Sequence, residues 1–276
     1  MKGRLGPIGS FIRNASKIRL FFIAGFVFCF LSCLVYLIGY GANAAGNKRE
    51  MKQLSPAMNS AASKIISSTQ SVEKTEESIS EKLSILPQFQ KLYNQNSDIF
   101  GWLCIDGTDI NYPVMLTPRD PEYYLHRNFQ KQPENRGLPF LDGGTDTEKS
   151  SNYLIYGHSM KDGTEFADLL HYQSESYFQK HPIIHFDTIY QTGDYQIIGV
   201  LLSKVYNQNE TVFKYYKFNY PASKEQYEDY VANVKKLSLY DTGVTAVPGE
   251  PLLTLSTCSY QTKDGRLAVV AKKIMR

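Results

Sequence analysis

The sequence predicts a mainly β fold with accessory helices: a barrel or sandwich of seven or eight short, largely antiparallel strands behind one membrane-length apolar segment. Three observations predict it. Between residues 81 and 276, short apolar and aromatic runs are separated by turn residues. Helical patterns do not alternate with these runs, which argues against a βαβ sheet. Finally, residues 20–40, LFFIAGFVFCFLSCLVYLIGY, form one uncharged stretch. With 20 Tyr and 15 Phe in 276 residues, the chain is too aromatic for disorder and long enough for a sizeable core. Four Cys are too few for a disulfide scaffold.

The net charge of +3 averages segments of opposite character. Residues 1–19 carry Lys2, Arg4, Arg13, Lys17 and Arg19 with no acid, whereas the remainder is slightly negative. Nothing in the bulk of the chain points to a nucleic-acid partner. Residues 20–40 suffice to cross a hydrocarbon core of ~30 Å, and Tyr36 and Tyr40 sit where interfacial aromatics belong. The alternative is a cleaved secretory signal, for which Ala42-Asn43-Ala44 supplies an A-x-A site; such signals have shorter apolar regions. In either case the basic residues 1–19 stay cytoplasmic and everything after the span lies outside. Residues 41–80, without an aromatic and rich in Ser, read as a stalk. The folded domain then runs from 81 to 276.

Leu83, Leu86, Phe89, Leu92 and Tyr93 fall at helical spacing interrupted by Pro87, which predicts one or two short helices. Residues 101–105 and 110–115 flank Asp106-Gly107 and form a hairpin. Further strands are expected at 138–141, 153–156, 183–186, 195–205, 252–256 and 267–272. Residues 166–178 form a short helical region. Ser223 and Gln226 make a capping box for a helix whose stripe Tyr227, Tyr230, Val231, Val234 and Leu237 packs on the barrel wall.

Three residues at strand termini could carry chemistry. Cys258 ends the run PLLTLSTC, where an apolar strand meets a polar loop; a free structural thiol is the competing reading. His158 follows the strand in NYLIYGHS, after a glycine that lets the backbone turn. Arg266 opens the last strand and can face Cys258 if their strands pair; a surface ion-pairing Arg is the alternative. Cys, His and Arg are the elements of thiol-based acyl transfer: nucleophile, acid/base and oxyanion donor. An ordinary thiol, with pKa ~8.5, is only slightly ionised at neutral pH, and a neighbouring His and Arg favour the thiolate. Of the other histidines, His126, His171 and His181 read as surface residues, and His185 lies in a strand facing in or out. Outside the span only Cys104 and Cys258 remain; the compartment permits a disulfide between them, and a core of this size does not require one. No H-x-x-x-H or C-x-x-C spacing supports a metal, leaving loop carboxylates as the one calcium option, and no cofactor is implied. Asp264 could tune Arg266, though a turn-forming Asp-Gly is the simpler account.

The strings Thr254-Leu255-Ser256-Thr257-Cys258, Asn152 to His158 and Gly265-Arg266 resemble the signature segments of sortases, the membrane-anchored cysteine transpeptidases of Gram-positive bacteria. The resemblance spans roughly residues 85–276. Gly101-Trp102-Leu103, the segment Thr108 to Val114, the loop Asp162 to Phe166 and the helix at 223–237 are similar to class B in particular. It implies an eight-stranded sortase barrel preceded by an N-terminal transmembrane helix. Catalysis would fall to Cys258, His158 and Arg266, with the Ser259 backbone N–H as a second oxyanion donor and Thr257 near the substrate. The implied partners are surface proteins bearing an NPxTN-like or LPxTG-like sorting motif, and the amine of a lipid II-like peptidoglycan precursor. A secreted cysteine hydrolase and a catalytically idle anchored binding module are the rival readings of the same residues.

Overall fold

The computed structural model describes residues 19, 21–39, 54, 84–147, 149–259 and 263–274. The basic segment before Arg19 and the expected stalk, apart from Leu54, lie outside the described residues. Helix α1, Phe21–Gly39, has a mean hydropathy of 2.6 and is long and apolar enough to cross a membrane. The chain divides into two units, Met1–Gln53 and Leu54–Arg276, and the second holds the barrel.

Eight strands close that barrel: β1 Ile99–Cys104, β2 Asn111–Met115, β3 Phe140–Leu141, β4 Asn152–Tyr156, β5 Ile183–Thr188, β6 Asp194–Lys204, β7 Leu252–Cys258 and β8 Gly265–Ile274. Their order around it is β1-β2-β3-β4-β7-β8-β6-β5. Every expected strand is present. The hairpin forms where Asp106-Gly107 places it, with Gly107 at φ 76° supplying the left-handed turn residue. The antiparallel expectation needs one correction, because β2 pairs with β3 and β4 with β7 in parallel. Parallel neighbours require a long crossover, and the nearly one hundred residues between β4 and β7 provide it.

The helices follow their local signals. Pro87 opens helix α2, Pro87–Gln95, in place of interrupting a longer one, because its missing N–H costs nothing at a first position. Phe89 and Leu92 are buried on its inner face. The 166–178 region forms a 3-10 segment, Phe166–Gln173, followed by α3, Glu175–Lys180. Helix α4, Lys224–Leu237, begins at Ser223, whose hydroxyl accepts from the Gln226 N–H at 3.3 Å. The Gln226 side chain reaches back one residue further than a standard box, accepting from the Ala222 N–H at 2.8 Å.

Tyr227, Tyr230, Val231 and Val234 bury the inner face of α4 together with Ile198, Leu201, Leu252 and Val270. Leu237, expected in this stripe, is 48% exposed; it is the last helical residue and has passed the edge of the wall. The approach of α4 to β6 requires Gly199, where the β6–β8 ladder shifts register. A Cβ there would stand 2.8 Å from Val234 Cγ1. We therefore expect Gly199→Val to destabilise the domain by about 1–3 kcal/mol. Denaturant melts check this, and an unchanged midpoint would show that α4 gives way freely.

Candidate active site

The strand pairing assembles the site. β4 and β7 run parallel and in register, from Asn152 opposite Leu252 to Tyr156 opposite Ser256. Beyond the last pair, the Gly157 N–H donates to the Ser256 carbonyl at 3.1 Å, and the Thr257 hydroxyl donates to the Gly157 carbonyl at 2.8 Å. His158 and Cys258 thus leave their strands at the same rim. β8 returns antiparallel and places Arg266 directly opposite Cys258. All three line one cleft of about 360 Å³, whose walls include Leu125, Asp142, Tyr156, Val205 and Tyr215. Each is half-buried, and Cys258 is a free thiol, as is Cys104.

His158 is held on two sides. Its Nε2 lies 2.9 Å from the Leu125 carbonyl oxygen. A carbonyl only accepts, so Nε2 carries the proton and Nδ1 is the basic nitrogen of the neutral ring. The His126 ring stacks on it, with centroids 5.5 Å apart and planes at 25°. Burial lowers the His158 pKa below the ordinary imidazole value, the Leu125 hydrogen bond opposes this, and His126 adds to the lowering. The ring therefore rests neutral at neutral pH, ready to accept a proton. His126 is exposed, as the sequence implied, but the sequence carried no signal of its contact with His158.

The glycine before His158 works sterically. Gly157 is not among the glycines with positive φ; a Cβ on it would meet the Phe166 ring at 2.6 Å. Phe166 in turn donates its N–H to the His158 carbonyl at 2.8 Å and closes the intervening loop. Arg136, only 4% exposed, braces that loop through Asp162 at 2.6 Å and the Thr164 hydroxyl at 2.6 Å.

Two secondary expectations meet hydroxyl and amide groups already engaged. Thr257 is buried and its hydroxyl binds Gly157, so its visible role is to join the two strand ends. The Ser259 N–H donates to the Gly265 carbonyl at 2.9 Å; an oxyanion role requires that bond to open. Arg266 Nη1 donates to the same carbonyl at 3.0 Å, leaving other guanidinium donors for a ligand. Beneath the cleft Tyr215 pairs with the Ser256 hydroxyl at 2.7 Å, and burial pushes its phenol up to about 12. It is a neutral support and not an acid.

A Sortase domain family model matches residues 103–274. Sortase B of Listeria monocytogenes is 31% identical over 192 residues, covering 68% of this chain and 75% of that protein. Among solved structures, sortase B from Bacillus anthracis in complex with AAEK1 aligns with a TM-score of 0.66 at 29% identity, covering 85% of this chain and 99% of the other. A Staphylococcus aureus sortase B–substrate complex aligns at 0.70 and 25% identity, covering 84% and 98%.

Glu165, in the loop behind His158, carries a pH prediction. It is 4% exposed, holds φ at 57°, and its Oε2 is buried without a hydrogen-bond partner. Burial raises its pKa to about 8; Arg136 opposes the shift, and Asp162 and Glu134 add to it. The folded state therefore keeps this proton longer than the unfolded chain does. Its contribution to stability is complete below about pH 4.5 and is lost as the pH rises to about 8. Glu165→Gln should raise the melting temperature at pH 8–9 and have little effect near pH 4. A pH-independent difference between the two proteins would refute this.

Proposed function

The chain belongs to the sortase family, with class B sortases as its relatives, and is a cysteine transpeptidase; we propose that Cys258, His158 and Arg266 are its catalytic groups. The observation that carries the assignment is the pairing of Cys258 with Arg266 on adjacent strands, at the rim where His158 emerges. In this reading Cys258 passes its thiol proton to Nδ1 of His158 as Sγ attacks a backbone carbonyl of the sorting motif, forming a C–S bond and a tetrahedral oxyanion. Arg266 stabilises that oxyanion, and the Ser259 N–H joins it once it leaves Gly265. His158 delivers a proton from Nδ1 to the departing amine as the peptide C–N bond breaks. A thioacyl-enzyme remains, and an incoming amine resolves it as a new amide.

The finer proposals concern place and partners. Helix α1 anchors the protein as a single-pass signal-anchor, with the basic segment 1–19 cytoplasmic, residues 41–80 as a stalk and the domain 81–276 outside. The donors are surface proteins with an NPxTN-like or LPxTG-like motif; the acceptor is the amine of a lipid II-like peptidoglycan precursor. The hydrolase reading shares every step but the last, so acceptor chemistry separates the two.

Two outcomes test the assignment. Cys258→Ala should abolish cleavage of NPxTN-like and LPxTG-like peptides without lowering the melting temperature, and Arg266→Ala should reduce kcat by about 10²–10³-fold; unchanged turnover in the cysteine variant removes the enzyme from this cleft. Added triglycine should yield ligated product by mass spectrometry. Hydrolysis alone across a panel of amines would favour the hydrolase.

A further inference from the structure

The cleft has a second charged wall that the thiol chemistry leaves unused. Asp142 directly follows β3, and its N–H donates to the Leu154 carbonyl at 2.8 Å, extending the β3–β4 ladder. This fixes it beside Tyr156, two residues before His158 on the same strand direction. Both Asp142 and Tyr156 line the cleft with Cys258 and Arg266.

The carboxylate is oriented by neutral donors. Oδ1 accepts from the Gly144 N–H at 2.9 Å and from Asn219 Nδ2 at 3.1 Å, and Oδ2 accepts from the Tyr156 hydroxyl at 3.2 Å. A carboxylate has about four acceptor positions, so Oδ2 retains capacity toward the cleft. None of these donors is charged, and among the described residues no Lys, Arg or His forms an ion pair with Asp142. Alongside it, Asn219 Oδ1 is buried and accepts no hydrogen bond. Asp142 is therefore a half-buried carboxylate, held by neutral donors and without a direct ion-pair partner among the described residues, on the wall of the cleft of a proposed thioacyl intermediate.

That intermediate requires an amine to compete with water, which demands a high local amine concentration. Alkyl amines arrive as ammonium ions at neutral pH. Arg266 repels such an ion, whereas a partly desolvated carboxylate attracts it strongly. We propose that Asp142, held by Tyr156 and Asn219, docks the ammonium group of the acceptor substrate. This rests on the transpeptidase reading and names the chemical class its second subsite takes: a primary alkylammonium. The docked ion releases one proton to solvent. The neutral nitrogen then forms the C–N bond, the C–S bond breaks with its electron pair on Cys258 Sγ, and a second nitrogen proton passes to Nδ1 of His158. An amide, a thiolate and an imidazolium remain.

The test compares two nucleophiles on the full chain in detergent: triglycine, which is cationic at its amine, and hydroxylamine, which is uncharged at neutral pH. Asp142→Asn should raise the triglycine KM about tenfold, equivalent to ~1.4 kcal/mol, and move the hydroxylamine KM at least fivefold less. Asp142→Glu, which keeps the charge, should recover part of the triglycine KM. In the unmodified chain, added salt should raise the triglycine KM and spare that of hydroxylamine, so the proposal stays testable if the asparagine variant does not fold. It is overturned if both nucleophiles shift together, if neither shifts, or if the sorting-peptide KM is the one that rises. Failure of the unmodified chain to form an acyl adduct on Cys258 instead refutes the transpeptidase reading, and this inference with it.

Discussion

The parallel pairing of β4 with β7 is the constraint on which the rest of the site depends. These strands lie about one hundred residues apart in sequence, yet every residue from Asn152 to Tyr156 has a partner. Side chains secure the pairing at both ends. Thr254 donates to Asn152 Oδ1 at 3.0 Å while Asn152 Nδ2 donates to the Phe218 carbonyl at 2.9 Å; at the rim Thr257 binds the Gly157 carbonyl. Parallel pairs are slightly weaker per residue than antiparallel ones, so these buried bonds at the ends hold the register. A slip of one residue would turn either His158 or Cys258 away from the cleft, because side chains alternate between faces.

The same pairing explains which features were legible in the sequence. Local signals located the strands, the 106–107 turn and the cap at Ser223, because each depends on neighbours a few residues away. The order of His158, Cys258 and Arg266 was legible because each ends or begins an apolar run. The parallel partnership of β4 and β7 was not, since periodicity reports which face of a strand is buried and says nothing of its neighbour. Leu125, His126 and Asp142 escaped for a related reason: they come from the connections flanking β3, a strand of only two residues, and contribute through a carbonyl, a ring face and a carboxylate with no motif of their own. Gly157 was identified with the wrong cause, a turn in place of the Phe166 contact, because the sequence reports a missing side chain and not what fills its space.

A comparison within the barrel shows how surroundings decide the fate of a thiol. Cys104 also stands at a strand end, and its cross-strand partner in β5 is a histidine, His185. That histidine is flanked by carboxylates, with Nδ1 2.8 Å from Asp194 and Nε2 3.4 Å from Asp106. By residue type, this is a Cys-His-Asp group at the rim opposite Cys258. Its field has the wrong sign: burial raises the Cys104 pKa, and Asp106 and Asp187 raise it further. Cys258 instead faces Arg266 across the ladder. The two rims thus differ in their charged neighbours, an arginine opposite Cys258 and aspartates around Cys104, although both carry a cysteine and a histidine. In the proposed assignment the chemistry of this barrel therefore lies less in its cysteines than in the register that gives one of them a cation for a neighbour.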